Sequence, residues 1–505
     1  MLPAVPDRAL TELGRTEGGP DTLALLVRDQ DTRRLLMVRA VLDAVEGADD
    51  AVCPPRARAR MREDWALLVQ ADRAGPPGGY GPAPDEAGSV PAPGPVGLPH
   101  GVSVPRRSPA RDRLLHPLIG PWARRCLRGL DTESGPPTEE GARELARDLA
   151  HFSGVAAVAA ARAGISFSVR LRGRDGVLAL PSLGALYTVQ SGDAAVDVLC
   201  RDRRLIMRQS GASDIVVHLE DGIGAWSGSP AWTPAYALPG LVPGADPMAV
   251  DDLDPYRTVR DGSLHHGLSG PTTLDEGERK RWAQAWADIA GALEIGGEDR
   301  VAEAVGLLRC LVPLAVPPGT DPKGRGTGSC SGTRREAFGA LLSSTPPTPK
   351  VFAATLVHEL NHTKLAALSD MVILHQAVHE ERYFAPWRPD PRPYDGLLQG
   401  AYSHLALADF HQRCALAAVK QADRESAWTL HARYQVQVGT VLPVLVGSPE
   451  LTVVGRRFVD EMVVTYERMA GIPAPRGHVV QARAYVEVAR ALWVQRHGPR
   501  LSAAE

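Results

Sequence analysis

The sequence predicts an α+β protein that is mostly helix, with a small β-rich layer in its N-terminal half and a helical C-terminal domain. Three observations carry this. Apolar residues recur at three- and four-residue spacing over residues 8–73, and helical patterning returns from Thr273 to the C-terminus. Between Ala163 and Met207 the period shortens to two, the signature of half-buried strands. A stretch dense in Pro and Gly, Ala74 to Pro109, can continue neither a helix nor a sheet, so it reads as a long loop.

The elements follow in order. Leu23-Ala-Leu-Leu-Val and Leu35-Leu-Met-Val-Arg-Ala-Val-Leu are amphipathic helix, as are Leu114 to Leu130 and Glu139 to His151. Ile165-Ser-Phe-Ser-Val-Arg-Leu-Arg alternates apolar and polar residues. Val177 to Gly184, Ala194 to Leu199 and Arg204 to Arg208 follow as short strands parted by Gly-Arg-Asp-Gly, Gly-Asp and Arg-Asp turns. Residues 212–275 read as irregular. Asp275 is placed to cap one helix from Glu276 to Leu293, and Val301 to Leu311 reads as a further helix. Ser329 to Ser344 reads as a turn and a short edge strand. The expected domains are a helical region over 1–150 that includes the 74–109 loop, a β-rich region over 151–250, and a helical domain over 251–505.

At 505 residues the chain exceeds one ordinary core, and its net charge of −3 shows no basic surplus, so no nucleic-acid partner is expected. Six scattered cysteines lack CxxC spacing, which argues against iron–sulfur or zinc-ribbon sites and reads as reduced thiols. Residues 1–7 do not resemble a signal peptide, and no apolar run is long enough to span a bilayer. A cytoplasmic location, with no membrane partner, is therefore expected.

The chemistry concentrates at Val357-His358-Glu359-Leu360-Asn361-His362. Histidines four apart share one helix face and can bind one metal ion, with the intervening Glu beside the ion's open position. The flanks, Phe352 to Val357 and Leu365 to Leu368, are apolar, unlike those of a solvated face. Leu365 and Leu368 occupy the offsets where metzincins carry Gly and a third His, so that subclass is excluded. A third ligand must come from elsewhere. The acidic candidates are Glu380, Glu381, Asp390, Asp395 and Asp409, and the histidine candidates are His375, His379, His404 and His411. Downstream, Arg382-Tyr-Phe-Ala-Pro-Trp-Arg-Pro-Asp-Pro-Arg-Pro is a proline-stiffened loop whose guanidinium groups suit carboxylate recognition. In the helix that follows, His404 sits among apolar residues, and Asp409 falls roughly 140° round from it.

The runs HELNHTKLAAL, YFAPWRPDPRP, GLLQGAYSHLALADF and Leu451-Thr-Val-Val-Gly-Arg-Arg-Phe-Val together resemble the HExxH-motif peptide-modification proteins, which are encoded beside ribosomally made peptides. The resemblance is strong over residues 329–462, weaker over 251–294 and unrecognised over the first 150. It implies an iron(II)- and 2-oxoglutarate-dependent oxygenase that uses O2 to hydroxylate a β-carbon in a precursor peptide. His358, His362 and His404 would hold iron, with Asp409 or Glu381 as alternatives to His404. Arg388, Arg392 and Tyr402 would bind the cosubstrate, and Glu359 would orient a ligand or water. Because the histidines lie on a helix and no long series of strands is present, the expected site is zincin-like rather than a jelly-roll barrel. Two other readings stand beside it: a zinc metallopeptidase with Glu359 as base, and a non-catalytic peptide-binding module.

Overall fold

Proline opens several of the helices, since its fixed φ suits the first turn and its missing N–H would be unpaired there anyway. A computed structural model describes residues 5–75, 107–131, 138–258, 269–316 and 330–498, so most of the 74–109 stretch lies outside the described residues. The helices of the N-terminal half are α1 (Asp7–Gly14), α2 (Pro20–Gly47), α3 (Pro55–Arg73), α4 (Pro109–Leu114), α5 (Ile119–Leu130) and α6 (Glu139–Arg162). Strands follow as β1 (Phe167–Arg172), β2 (Val177–Leu180), β3 (Gly184–Tyr187), β4 (Ala195–Arg201), β5 (Arg204–Arg208), β6 (Ile215–Leu219), β7 (Ala225–Trp226), β8 (Trp232–Pro234), β9 (Tyr236–Leu238) and β10 (Met248–Val250). Next come α7 (Glu276–Ala287), α8 (Ile289–Ile295), α9 (Asp299–Leu307), β11 (Cys310–Leu314), β12 (Ser331–Thr333) and β13 (Ala340–Ser344). The chain closes with α10 (Pro349–Met371), α11 (Tyr394–Ala417), α12 (Gln421–Val446), α13 (Val453–Ala470) and α14 (Arg476–His497). The protein is mostly helical with small antiparallel and mixed sheets, and no helix among the described residues is long and apolar enough to cross a membrane.

The chain divides into two compact units that do not follow chain order. One comprises Asp31–Leu274 with Arg309–Ala315, the other Met1–Gln30, Asp275–Leu308 and Val316–Glu505. In the first, α6 is buried on more than one face. Phe152, Val155, Ala156 and Ala159 join a helical core with Trp122, while Ala157, Val158 and Ala161 pack with the strands. Small alanines let both layers approach the same helix closely. The antiparallel order β1-β4-β5-β6-β7 turns Val169, Leu171, Val196, Val198, Leu205, Met207 and Val217 inward, the alternation legible in the sequence.

Three expectations are corrected. Residues 212–275 are not simply irregular, because β6 to β10 fall there. Strands of two or three residues, β7 to β10, are too short to show a period, β6 has the apolar Val216 on its outward face, and pairing supplies what local pattern lacks. The helix expected over Glu276 to Leu293 breaks at Asp288 into α7 and α8, although Asp275 does cap it, in a reciprocal capping box with Glu278. Cys310 and Leu311 are strand rather than helix end, since β11 pairs in parallel with β10. Residues 330–344 hold two antiparallel strands, β12 and β13, with β12 at the sheet edge.

Candidate metal centre

Helix α10 starts cleanly: Thr348 accepts from Val351 N–H at 3.2 Å, and Pro349 occupies the first turn. Phe352, Ala353, Leu356, Leu360 and Leu365 bury it, which sets His358 and His362 toward α11. Their Nε2 atoms lie 3.2 Å apart. Two ring nitrogens at that distance are held together only by a shared proton or a cation. His404 of α11 stands somewhat further out, its ring centroid 5.3 Å from that of His358 against 4.6 Å between His358 and His362.

The partners of the other ring nitrogens fix the tautomers. A carbonyl oxygen only accepts, so the Nδ1–H of His362 donates to Gln399 Oε1 (3.2 Å) and that of His404 to Gly400 O (2.7 Å). In His362 this leaves Nε2 for His358, and in both rings an Nδ1–H held by an outer acceptor is the arrangement that orients histidine ligands. His358 Nδ1 is buried without a partner. Burial, then the neighbouring His362 and His404, hold His358 well below the usual histidine range, and burial lowers His404 to about 4. These two rings are therefore uncharged near neutrality and offer lone pairs.

Trp387, from the proline-rich loop, stacks on His404 with centroids 4.5 Å apart and planes 20° from parallel. Gly400 makes this possible, because a Cβ there would meet the indole at 2.4 Å. Tyr434 of α12 closes on the His404 ring at 5.3 Å, and Arg433 beside it adds to the lowering of His404.

Glu359 points elsewhere. Its carboxylate accepts from Ser331 Oγ of β12 at 2.7 Å, and burial raises its pKa while His362, Ser331 and Thr333 oppose that. The acidic group next to the histidine pair is thus engaged by the edge strand.

The remaining candidates separate from the histidines. Asp409 is held by Arg413 (3.1 Å) and Arg468 (2.9 Å), with Arg300 at 3.9 Å. Glu381 is exposed, His375 faces Asp395 at 3.5 Å, and His411 stacks on Tyr434. Tyr402 is buried with its hydroxyl donating to Leu13 O at 2.5 Å, because two positions along a helix turn a side chain roughly 200° from His404. Arg392 packs against Gly396, near Glu381, Asp390 and Asp395, and Arg388 lies 3.7 Å from Asp390. Sequence reading missed Gln399, Trp387, Tyr434 and Arg433. Trp387 was the one with a signal, a lone tryptophan in a stiff loop. Gln399 and Arg433 become visible only when α10, α11 and α12 are packed together. No family model matches the chain, and no curated protein matches it either.

Proposed function

We propose that this chain is an iron(II)- and 2-oxoglutarate-dependent oxygenase that hydroxylates a β-carbon in a ribosomally made precursor peptide. The motif resemblance to the HExxH peptide-modification proteins names the chemistry. One observation carries it to these residues: His358 and His362 bring their Nε2 atoms within 3.2 Å of each other in a buried place, the His404 ring stands 5.3 Å from that of His358, and Glu359 is drawn aside by β12. Three imidazoles suit a borderline divalent ion, and the 3.2 Å Nε2 pair fits a site that a cation completes. When bound, iron(II) with 2-oxoglutarate and O2 supplies an oxidant that converts C–H to C–OH, with succinate and CO2 as the other products.

The chain's own residues hold and shield. Gln399 and Gly400 O fix ring orientation, and Trp387 keeps water from one face of His404. Arg388 and Arg392 stay the partners proposed for the cosubstrate's distal carboxylate, Arg433 is engaged by Tyr485, and Tyr402 drops out. The edge strand β12, tied to Glu359 through Ser331, offers backbone groups on which an extended peptide can pair beside the histidines. A peptidase would need the Glu359 carboxylate free to activate water, and its bond to Ser331 weighs against that reading.

The test is anaerobic. Apo-protein is loaded with Fe(II), 2-oxoglutarate is added, and the visible spectrum is recorded. A weak charge-transfer band that vanishes in His358→Ala supports the oxygenase. No band, together with tightly retained zinc and peptide cleavage abolished by Glu359→Gln, would replace it with the hydrolase.

A further inference from the structure

A second group of metal-ligand side chains lies in the β-containing unit. His116 comes from the turn between α4 and α5, Asp251 follows β10, and Cys310 opens β11. Topology joins them: β10 and β11 run parallel with Ala249 opposite Cys310, and Asp251 N–H donates to Leu311 O at 2.8 Å. Their ligand atoms all lie within 4.8 Å of one another, and among the described residues no other His, Cys, Asp and Glu trio converges this closely. Ligands bound at zinc distances in a tetrahedron stand roughly 3.3–3.7 Å from each other, so the three side chains need little movement to meet one ion.

Within the group the His116 ring and the Cys310 thiol both reach the Asp251 carboxylate as hydrogen-bond neighbours. His116 Nε2 lies 3.1 Å from Asp251 Oδ2, yet that buried oxygen has no hydrogen bond of good geometry. A metal ion would take the place of the protons that lie between these atoms. A cavity of about 10 Å³ adjoins the group, lined by His116, Asp254, Arg113 and His151 among others, large enough for about one water. A metal on Nε2 replaces two existing contacts, the proton between His116 Nε2 and Asp251 and the long 3.4 Å approach of Leu118 N–H to His116 Nδ1.

We propose that His116, Asp251 and Cys310 form a zinc site, with water or Asp254 completing the shell, that pins the Leu115–Leu118 turn to the parallel β10–β11 pair. Mixed S, N and O donors suit zinc, and binding releases the Cys310 proton to solvent as thiolate forms. This site stands independently of the histidine centre on α10.

Cobalt(II) distinguishes the two, because only a thiolate ligand gives a near-ultraviolet charge-transfer band. Full-length protein is stripped with chelator and titrated with Co(II), both as wild type and as the double variant H358A/H362A. The band should appear in both, vanish in Cys310→Ser, and weaken in His116→Gln. The loss of affinity in His116→Gln should be at least the roughly 10- to 100-fold that removal of an outer partner costs. Circular dichroism checks that Cys310→Ser folds, and should it not fold, the turn residue His116, whose side chain is 13% exposed, carries the test alone. A band that survives Cys310→Ser, no band in wild type, or unchanged affinity in His116→Gln overturns the proposal.

Discussion

Single side chains decide what the histidine pair can do. Gln399 is the acceptor that holds His362 Nδ1, so Gln399→Leu should leave the fold intact and lower metal affinity roughly 10- to 100-fold, read by competition with a chromogenic chelator. Unchanged affinity would mean that His362 needs no outer partner. His411 gives a pH signature that does not depend on metal. Burial, then His431 nearby, lowers it to about 3, while the unfolded chain titrates near the ordinary histidine value. Between those values the unfolded state binds a proton that the fold refuses. Stability from this residue is therefore complete above about pH 6.5 and declines as pH falls toward 3, by about 3 kcal/mol at pH 4. His411→Phe, which retains a ring against Tyr434, should flatten that part of the curve in chemical denaturation, and an identical slope in both proteins would refute the assignment.

At the scale of elements, the site depends on how closely a loop can approach a helix. Gly400 is the gap in α11 into which Trp387 fits. Gly400→Ala places a methyl 2.4 Å from the indole, so the ring must leave His404 or the loop must shift. Overpacking of this kind costs about 1–3 kcal/mol. The expected result is a lower unfolding midpoint together with weaker metal binding. Lost stability with full affinity would show that the stack on His404 is structural only. The edge strand β12 works by the same logic, since its hydroxyls fix where the Glu359 carboxylate sits.

At the scale of the whole molecule, residues far apart in sequence meet in a buried charge network. Lys364, two residues beyond His362, donates to Glu303 (2.7 Å) and to Thr16 O (3.0 Å), and Arg300 donates to Glu303 (2.9 Å) and to the same Thr16 O (2.8 Å). The network ties the N-terminal segment and α9 to α10. Lys364→Met removes a fully buried charge and leaves Glu303 with Arg300 alone, an imbalance that should destabilise by about 3 kcal/mol. Urea unfolding followed by far-ultraviolet circular dichroism measures it, and a change under half that size would show that Arg300 compensates on its own.

The HExxH helix, the alternating strands from β1 to β5 and the capping Asp275 could all be read from the chain, because each is local. Periodicity, apolar flanks and cap chemistry act within a turn or a strand, and they need no partner to be recognised. The mostly helical α+β class follows from the same signals. The strands β7 to β10, of two or three residues, are too short to carry a period, and β6 hides its alternation because the outward-facing Val216 is apolar, so only pairing defines them. Nor could the choice among candidate third ligands, because nothing local distinguishes His404 from His411 or Asp409. Packing α11 against α10 sets His404 beside His358 and leaves Asp409 among arginines. Sequence determined which helix carries the histidine pair; tertiary packing decided which groups face it, because direction in space is set by contacts between elements rather than within them.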